Sequence, residues 1–254
     1  MFERIVCGVD GSPESVEAVR QADVLLEAGG RLVLVAAVDL TDAIHFQIAR
    51  TPVHAARRAL EEVEELDRGA SGALEHARTG VTHAADVAVL EVSGAPATSL
   101  LETAATQAAG VVAVGTHGVG RMAGIVLGSV ATLVLHRAPC SVLVARAPSS
   151  GTWAPRSILV GVDGSPEADA ALEAARALEA RFEATLTVLT VDHRRPARAL
   201  VEAASGLDLL VVGSRGLHGA RALGSVSEQV AHEAPCSVLV TREPRGVDPS
   251  HGPG

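Results

Sequence analysis

The residues best suited to chemistry lie in the stretch Gly115–Ser129, GTHGVGRMAGIVLGS, which carries five glycines directly after an apolar run. Glycine lets a backbone approach a bound group closely and adopts positive φ at little cost. The stretch ends in Gly128-Ser129 at the predicted start of a helix, where unpaired N–H groups and the helix dipole favour an anion. Arg121 adds a positive charge in the same loop. A polyphosphate would suit all three features.

A second helix start is less suited to an anion. The helix after Ser12 begins with Pro13 and Glu14, so its first turn lacks one N–H group and carries a carboxylate. The helix after Gly128 begins Ser-Val-Ala-Thr without an acid. We therefore expect phosphates at Ser129 and the rest of the ligand toward Asp10.

The chain contains two copies of one pattern. Ile5–Glu14 returns as Ile158–Glu167, and His136–Val144 returns as His232–Val240. Val38-Asp39 likewise matches Val191-Asp192. The offset between the copies falls from 153 residues at Asp10 and Asp163 to 98 at Gly115 and Gly213, so the second copy lacks 55 residues between its second strand and its glycine loop. The loop itself is two residues shorter.

Each copy alternates short apolar strands with helices, which is typical of an α/β fold with a parallel sheet covered on both faces. We predict two tandem doubly wound, Rossmann-like domains with strand order 3-2-1-4-5, the second truncated by loss of its third strand and the preceding helix. The predicted strands of the first copy are Arg4–Val9, Leu32–Val38, Val87–Val92, Val111–Gly115 and Ser141–Val144. The predicted helices are Pro13–Glu27, Ala55–Leu66, Ala97–Ala108 and Ser129–His136.

This order places the candidate residues together. In an open α/β sheet the ligand crevice lies beyond the carboxyl ends of the strands, where the winding reverses. Here the reversal falls between strand one, ending at Asp10, and strand four, ending at Gly115. The final strands, Ser141–Ala145 and Ser237–Thr241, are expected to meet about a pseudo-two-fold axis.

Domain bounds follow from the repeat and from composition. We predict a complete domain over 1–147, a linker rich in Pro, Ser and Gly over 148–156, a shortened domain over 157–243 and a disordered tail over 244–254. The net charge of −9 and an aromatic content of 2% argue against a nucleic-acid partner. No apolar run is long enough to span a membrane, and three cysteines fit a reducing cytoplasm.

The spaced glycines Gly115-x2-Gly118-x9-Gly128-Ser129, the Val-Asp-Gly-Ser strand end and the Ala-Pro-Cys-Ser-Val-Leu-Val final strand resemble the universal stress protein family. The resemblance covers nearly the whole chain as a tandem pair. It implies strand pairing through the last strands, and the G-x2-G-x9-G-[S/T] pattern is associated with the ATP-binding members. It implies ATP, with Mg²⁺ as an optional companion, as the cofactor of this chain, and homodimerisation stays open.

The predicted ATP site combines this resemblance with the crevice. Its residues are Asp10, Gly11, Ser12, Val38, Gly115, Thr116, His117, Gly118, Arg121, Gly128, Ser129, Val130 and Ala131. The resemblance places Asp10 and Val38 at the adenosine end and Ser129 at the phosphates. A weaker second site would comprise Asp163, Gly164, Ser165, Val191, Gly213, Ser214, Arg215, Gly216, Gly224, Ser225, Val226 and Ser227.

Both copies depart from the family pattern. Ala131 replaces the usual Ser or Thr after Gly-Ser-Val, which removes one hydroxyl contact to phosphate. The second copy keeps Ser227, but its loop is shortened and its third strand is lost, which matter most here. Ser225 with Glu228 also predicts a capping box whose side chains can occupy the N–H groups a phosphate needs. We therefore favour the first copy as the ATP site.

Three functions remain open from the sequence. The favoured one is a regulatory module that binds ATP with little or no turnover, because no catalytic constellation accompanies the loop. The second is an interaction protein with decayed ATP sites. The third, an adenylating enzyme, requires a Ser-Gly-Gly-x-Asp-Ser loop where Asp10–Ser15 reads DGSPES. No metal-ligand spacing occurs among the histidines, and Cys140 and Cys236 are expected to be inert core residues.

Overall fold

The computed structural model describes residues 2–38, 68–118, 127–149, 151–191, 196–215 and 223–242. Its strands are β1 Arg4–Gly8, β2 Arg31–Val38, β3 Asp86–Ser93, β4 Val111–Gly115, β5 Ser141–Ala145, β6 Ser157–Val162, β7 Thr185–Thr190, β8 Leu209–Gly213 and β9 Ser237–Thr241. Its helices are α1 Pro13–Leu25, α2 68–78, α3 Pro96–Thr106, α4 Ser129–Arg137, α5 Pro166–Phe182, α6 Pro196–Ala203 and α7 Ser225–Glu233.

The nine strands form one sheet in the order β3-β2-β1-β4-β5-β9-β8-β6-β7. The first five strands therefore follow the predicted order 3-2-1-4-5, and the last four repeat it without a third strand. Within each copy all pairs are parallel, which agrees with connections that pass through helices. The α/β fold class is confirmed. The predicted helix 55–66 and the predicted tail 244–254 lie outside the described residues.

The two copies meet through their final strands. β5 pairs antiparallel with β9, with Leu143 opposite Leu239 at the centre of the pairing. The pairing makes one continuous sheet, in which the central strands are covered on both faces and read as unbroken Val and Leu runs.

The strand register corrects one sequence match. Ile5 lies beside Leu32 in the first copy, whereas the equivalent Ile158 lies beside Leu186 rather than Thr185. The path from the first helix to the second strand is thus one residue longer in the second copy. The match of Val38 to Val191 was therefore wrong by one position, because register places Val191 as the counterpart of Ala37.

Helices cover both faces of the sheet. Helices α1, α2 and α5 pack on one face against β1 and β6, and α3, α4, α6 and α7 pack on the other. Burying aliphatic side chains on two faces supplies most of the stabilisation, at about 25 cal/mol per Å² of apolar area. No helix in these described segments is both long and apolar enough to cross a membrane.

Two arginines hold the junction between the copies. Arg146, just after β5, donates to the carbonyl oxygens of Ala231 at 2.6 Å and His232 at 3.2 Å, near the end of α7. Arg242, just after β9, donates to the carbonyl oxygens of Ala138 at 2.7 Å and Leu135 near the end of α4. Each copy therefore caps a helix of the other, where the last carbonyls otherwise lack partners.

The predicted linker also packs against the second copy. Trp153 is buried, and its Nε1 donates to the carbonyl oxygen of Asp208 at 3.1 Å. The Oδ2 of Asp208 accepts from the backbone N of Ser157 at 2.9 Å, at the start of β6. These contacts anchor the connection to the start of the second copy.

Candidate functional site

A cavity of about 340 Å³ lies at the carboxyl ends of β1 and β4, where the winding of the first copy reverses. Open α/β sheets bind ligands at this position. Nine of the predicted residues line the cavity: Asp10, Gly115, Thr116, His117, Gly118, Gly128, Ser129, Val130 and Ala131. The structure thus brings the strand-one end, the first part of the glycine loop and the start of α4 around one space.

A turn fixes Asp10 at the rim. Its Oδ1 accepts from the backbone N of Ser12 at 3.0 Å and from the Ser12 hydroxyl at 2.6 Å. The Ser12 hydroxyl in turn accepts from the backbone N of Ser15 and caps α1. Gly11 permits the turn with φ 81°. Gly11 and Ser12 are outside the set of cavity-lining residues, so both serve the turn, and Ser15 lines the cavity instead.

The start of α4 has the features of an anion-binding helix start. Gly128 occupies the N-cap without a side-chain hydrogen bond, and the first turn carries no acid. The backbone N of Gly128 donates to the Thr116 carbonyl at 2.7 Å, which ties α4 to the end of β4. The first N–H groups of a helix lack intrahelical partners and carry partial positive charge. Ser129, Val130 and Ala131 present this turn to the cavity.

The glycines serve the protein's own packing as well as the cavity. A Cβ on Gly115 would lie 2.7 Å from the backbone carbon of Glu14, so β4 needs glycine to pass the start of α1. A Cβ on Gly118 would overlap the Oδ2 of Asp10. Gly118 therefore lets the loop lie directly against the Asp10 carboxylate, and any side chain there would displace one of them.

His117 carries an unsatisfied polar atom. Its Nδ1 lies 3.0 Å from the Oγ1 of Thr116, while its Nε2 is buried and has no hydrogen-bond partner within the described segments. A buried polar atom without a partner costs about 1–3 kcal/mol. Because His117 lines the cavity, a ligand with a hydrogen-bonding group there would remove that cost.

One wall of the cavity is apolar, and sequence reasoning missed it. Val9, Val35, Ala37, Pro96 and Leu100 line this wall. Ala37 lies there rather than the predicted Val38, because successive residues of a strand face opposite sides of the sheet. The signal available in the sequence was the same crevice rule, since the start of α3 follows β3 at the same edge of the sheet.

The second copy uses its equivalent groups internally. The Ser227 hydroxyl donates to the carbonyl oxygen of Gly213 at 2.6 Å, and the Nε of Arg215 lies 3.1 Å from the Oε1 of Glu167. Asp163 and Ser165 repeat the turn of the first copy, with Gly164 at φ 80°. Ser227 and Arg215, two residues of the predicted second site, therefore contact the protein's own atoms.

The predicted capping box of the second copy was wrong. The N-cap of α7 is Gly224, which makes no side-chain hydrogen bond. The Oε1 of Glu228 lies 3.0 Å from the Nε2 of His136 in the first copy, so its carboxylate joins the two copies rather than reaching back to α7. Ser225 is exposed and Val226 packs against the core.

Some predicted positions lie elsewhere. Arg121 and Gly216 are outside the described residues. Ser214, buried, accepts at its carbonyl from the backbone N of Gly224 at 2.7 Å, and Val191 is half-buried beyond the end of β7. The described segments contain no group of three His, Cys, Asp or Glu side chains that could hold a metal ion.

A doubly wound parallel sheet with a ligand crevice at its switch point is typical of Rossmann-like α/β proteins, and this chain has two doubly wound copies in tandem. Within this class the chain belongs to the universal stress protein family, whose model matches residues 1–146, 155–203 and 190–242. A universal stress protein of Mycolicibacterium smegmatis is 28% identical over 292 aligned positions, which cover 94% of this chain and 96% of that protein.

A solved structure of the same family agrees on the fold. The crystal structure of a universal stress protein from Archaeoglobus fulgidus aligns with 95% of this chain and 97% of its own at a TM-score of 0.61 and 19% identity. A universal stress protein solved in complex with cAMP aligns with 57% of this chain and 97% of its own, at 26% identity and a TM-score of 0.35. The cAMP complex is a property of that protein.

Proposed function

We propose that this protein is a regulatory module that binds ATP in the cavity of its first copy with little or no turnover. The observation that carries the proposal is that two features meet in one cavity: the first turn of α4, which has no side-chain cap and no acid, and the buried Nε2 of His117, which has no partner among the described residues. Backbone N–H groups and an imidazole N–H both donate to phosphate oxygens.

The apolar lining residues support a nucleoside rather than a bare anion. Val35, Ala37, Pro96 and Leu100 offer an apolar surface to a base, and Asp10 offers a carboxylate that accepts from sugar hydroxyls. The volume of about 340 Å³ falls in the range of small-molecule sites, roughly 300–1,000 Å³. A nucleoside triphosphate has both an apolar end and an anionic end, and the cavity has a matching surface for each.

We expect low turnover from the groups that line the cavity, because the proposal uses the His117 Nε2 as a donor to phosphate and so leaves it unavailable as a general base. Among the described lining residues Asp10 is the one carboxylate, and its Oδ1 accepts two hydrogen bonds from Ser12. A general base needs a free acceptor within reach of the attacking water. Mg²⁺ would enter with the triphosphate, and the three free thiols of the chain fit a cytoplasmic setting.

The second copy is not expected to hold nucleotide. Its serine at the phosphate position donates to Gly213, and the Arg215 side chain is paired with Glu167. We therefore propose one ATP per chain. A measured ratio of about two bound ATP molecules per chain would contradict this assignment.

Calorimetric titration of the intact protein with ATP tests the proposal. Binding with a stoichiometry of about one is expected, and Gly118→Val should abolish it because the new side chain overlaps Asp10. The same change at Gly216, its counterpart in the second copy's shortened loop, is the matched control and should leave binding intact. No binding by the folded wild type at millimolar ATP would favour the interaction protein with decayed sites instead.

A further inference from the structure

Among the described residues, the outermost strand of the second copy has no strand paired to its outer edge. β7 ends the sheet order, and its residues Thr185–Thr190 read TLTVLT, without a charge or a proline. Natural proteins protect edge strands with charged residues, prolines, bulges or a covering segment, because open backbone groups recruit another strand. β7 has neither of the first two protections.

Successive residues of β7 point their backbone N–H and C=O groups alternately toward β6 and away from it. The N–H of Thr185 donates to the Arg156 carbonyl at 2.7 Å, and that of Val191 donates to the Val162 carbonyl at 2.9 Å, so the odd-numbered residues face β6. In a parallel pair both backbone groups of the next residue face away. Leu186, Val188 and Thr190 therefore turn their N–H and C=O groups outward.

One side-chain face of β7 is also partly exposed. Val188 is 47% exposed, whereas its counterpart by register, Leu34 of β2, is 0% exposed. Leu34 belongs to the same core cluster as Leu74 and Ala77 of α2. The second copy lacks the segment that carries both β3 and α2, so β7 loses its neighbouring strand and its covering helix together.

We propose that a second copy of this chain adds its own β7 to this edge, antiparallel and centred on Val188. Outward groups on residues 186, 188 and 190 then form about six hydrogen bonds across a two-fold axis, with Val188 opposite its counterpart in the partner. Because the axis is perpendicular to the sheet, the exposed apolar faces of both strands lie on the same side and join.

Two observations favour a second copy over another partner. The chain already uses this arrangement internally, since β5 and β9 pair antiparallel about Leu143 and Leu239. In addition, β7 carries no charge, so self-pairing opposes no like charges, whereas the other edge strand, β3, carries Asp86 and Glu91. The edge at β7 shares no residue with the ATP cavity, so the proposal is independent of nucleotide binding.

Sedimentation velocity of the full chain, from micromolar to about 1 mM, tests the proposal. We expect a concentration-dependent dimer in the wild type. Val188→Lys should raise the dimer dissociation constant more than about tenfold, because two ammonium groups would face each other at the centre. Val89→Lys is the matched control. Val89 is 40% exposed on β3, so this substitution should leave dimerisation unchanged.

A mixture of variants separates loss of pairing from loss of folding. Val188→Lys and Val188→Glu should each be monomeric alone and form a heterodimer when mixed, since opposite charges then meet. A misfolded variant would not regain dimerisation when the two variants are mixed. A wild type that is monomeric at 1 mM, a mixture that stays monomeric, or an effect of Val89→Lys equal to that of Val188→Lys would overturn the proposal.

Discussion

The hydroxyl of Ser227 donates a 2.6 Å hydrogen bond to the carbonyl oxygen of Gly213, and Ala131 occupies the equivalent place in the first copy. Both residues are buried, and each lies two positions after the serine that begins its own helix. In the second copy this bond fastens the helix to the strand before it. In the first copy the alanine has no such donor, and the bond from the backbone N of Gly128 to the Thr116 carbonyl is matched in the second copy by that from Gly224 to Ser214.

Ser227→Ala should therefore lower the free energy of unfolding by about 1–2 kcal/mol, because a buried hydrogen bond is lost. Chemical denaturation followed by circular dichroism measures the change. Ser225→Ala on the same helix is the control, since Ser225 is exposed. Equal effects of the two substitutions would show that the Ser227–Gly213 bond contributes nothing.

His117→Phe should separate stability from binding. Without nucleotide the variant is expected to be as stable as the wild type or more stable by up to about 1 kcal/mol, because the unsatisfied Nε2 is removed. Its affinity for ATP should fall about tenfold, since the ligand loses that partner. Titration calorimetry and thermal unfolding measure the two effects, with exposed His76→Gln as control. Unchanged affinity would contradict a contact between His117 and the nucleotide.

Asp23 ties α1 to the loop before β3. It is buried, and its carboxylate accepts from the backbone N of Thr82 at 2.7 Å, His83 at 2.9 Å and Ala84 at 2.8 Å, and lies 3.0 Å from the His83 Nδ1. Burial alone would raise the pKa of Asp23, but these hydrogen bonds outweigh it and hold the pKa below its usual range.

A carboxyl with a lowered folded-state pKa stabilises the protein fully above its unfolded pKa and loses that contribution as pH falls through the folded value. Asp23→Asn should cost about 2–3 kcal/mol at pH 7. The difference from the wild type should shrink below about pH 4. Denaturation at several pH values measures it, with the exposed Asp86→Asn as control. A difference that stays constant down to pH 2 would contradict the assigned bonds.

Arg146→Met should loosen the junction between the copies. Burial lowers the pKa of Arg146 to about 10, so the side chain stays charged at neutral pH and donates to the carbonyl oxygens at the end of α7. Losing a charged hydrogen bond costs about 1.5–3 kcal/mol. Arg176, exposed on α5, provides the control substitution to Met. Hydrogen exchange should show the loss in α7 amides, and equal protection in both variants would count against the capping role.

The three thiols should be unreactive in the folded protein. Burial raises the pKa of Cys140 and of Cys236 to about 11, and burial together with the charge of Asp23 raises the pKa of Cys7 further. Only the thiolate reacts, so a disulfide reagent at pH 8 should label none of them until denaturant is added. Rapid labelling of Cys140 or Cys236 in the native protein would show that the final strands open readily.

Much of the fold is predictable because the repeated segments carry strong local signals. The Ser12 cap, the proline at the start of α1 and the unbroken apolar runs set the element bounds to within one or two residues at most ends. The loss of a strand in the second copy follows from counting alone. The one-residue shift in the register of β7 cannot be found by counting, because it depends on the hydrogen bonds between strands.

The candidate site, like the fold, was only partly predictable from the sequence. The crevice rule placed Asp10 and the glycine loop together, but it could not distinguish Ala37 from Val38, since that choice depends on which face of β2 turns to the cavity. Nor could it show that Gly115 is required by Glu14, or that Glu228 bonds to His136 rather than to its own helix. These contacts join residues far apart in the chain.

By itself the sequence determined the family, the strand order and the location of the helix start that we propose binds phosphate, since these depend on local patterns and on a repeat that can be counted. The tertiary structure alone decided which side chains face the cavity, which hydroxyls are already bonded and which strands end the sheet of the described residues. Those properties depend on register and packing between distant segments, which the order of residues along one segment does not encode.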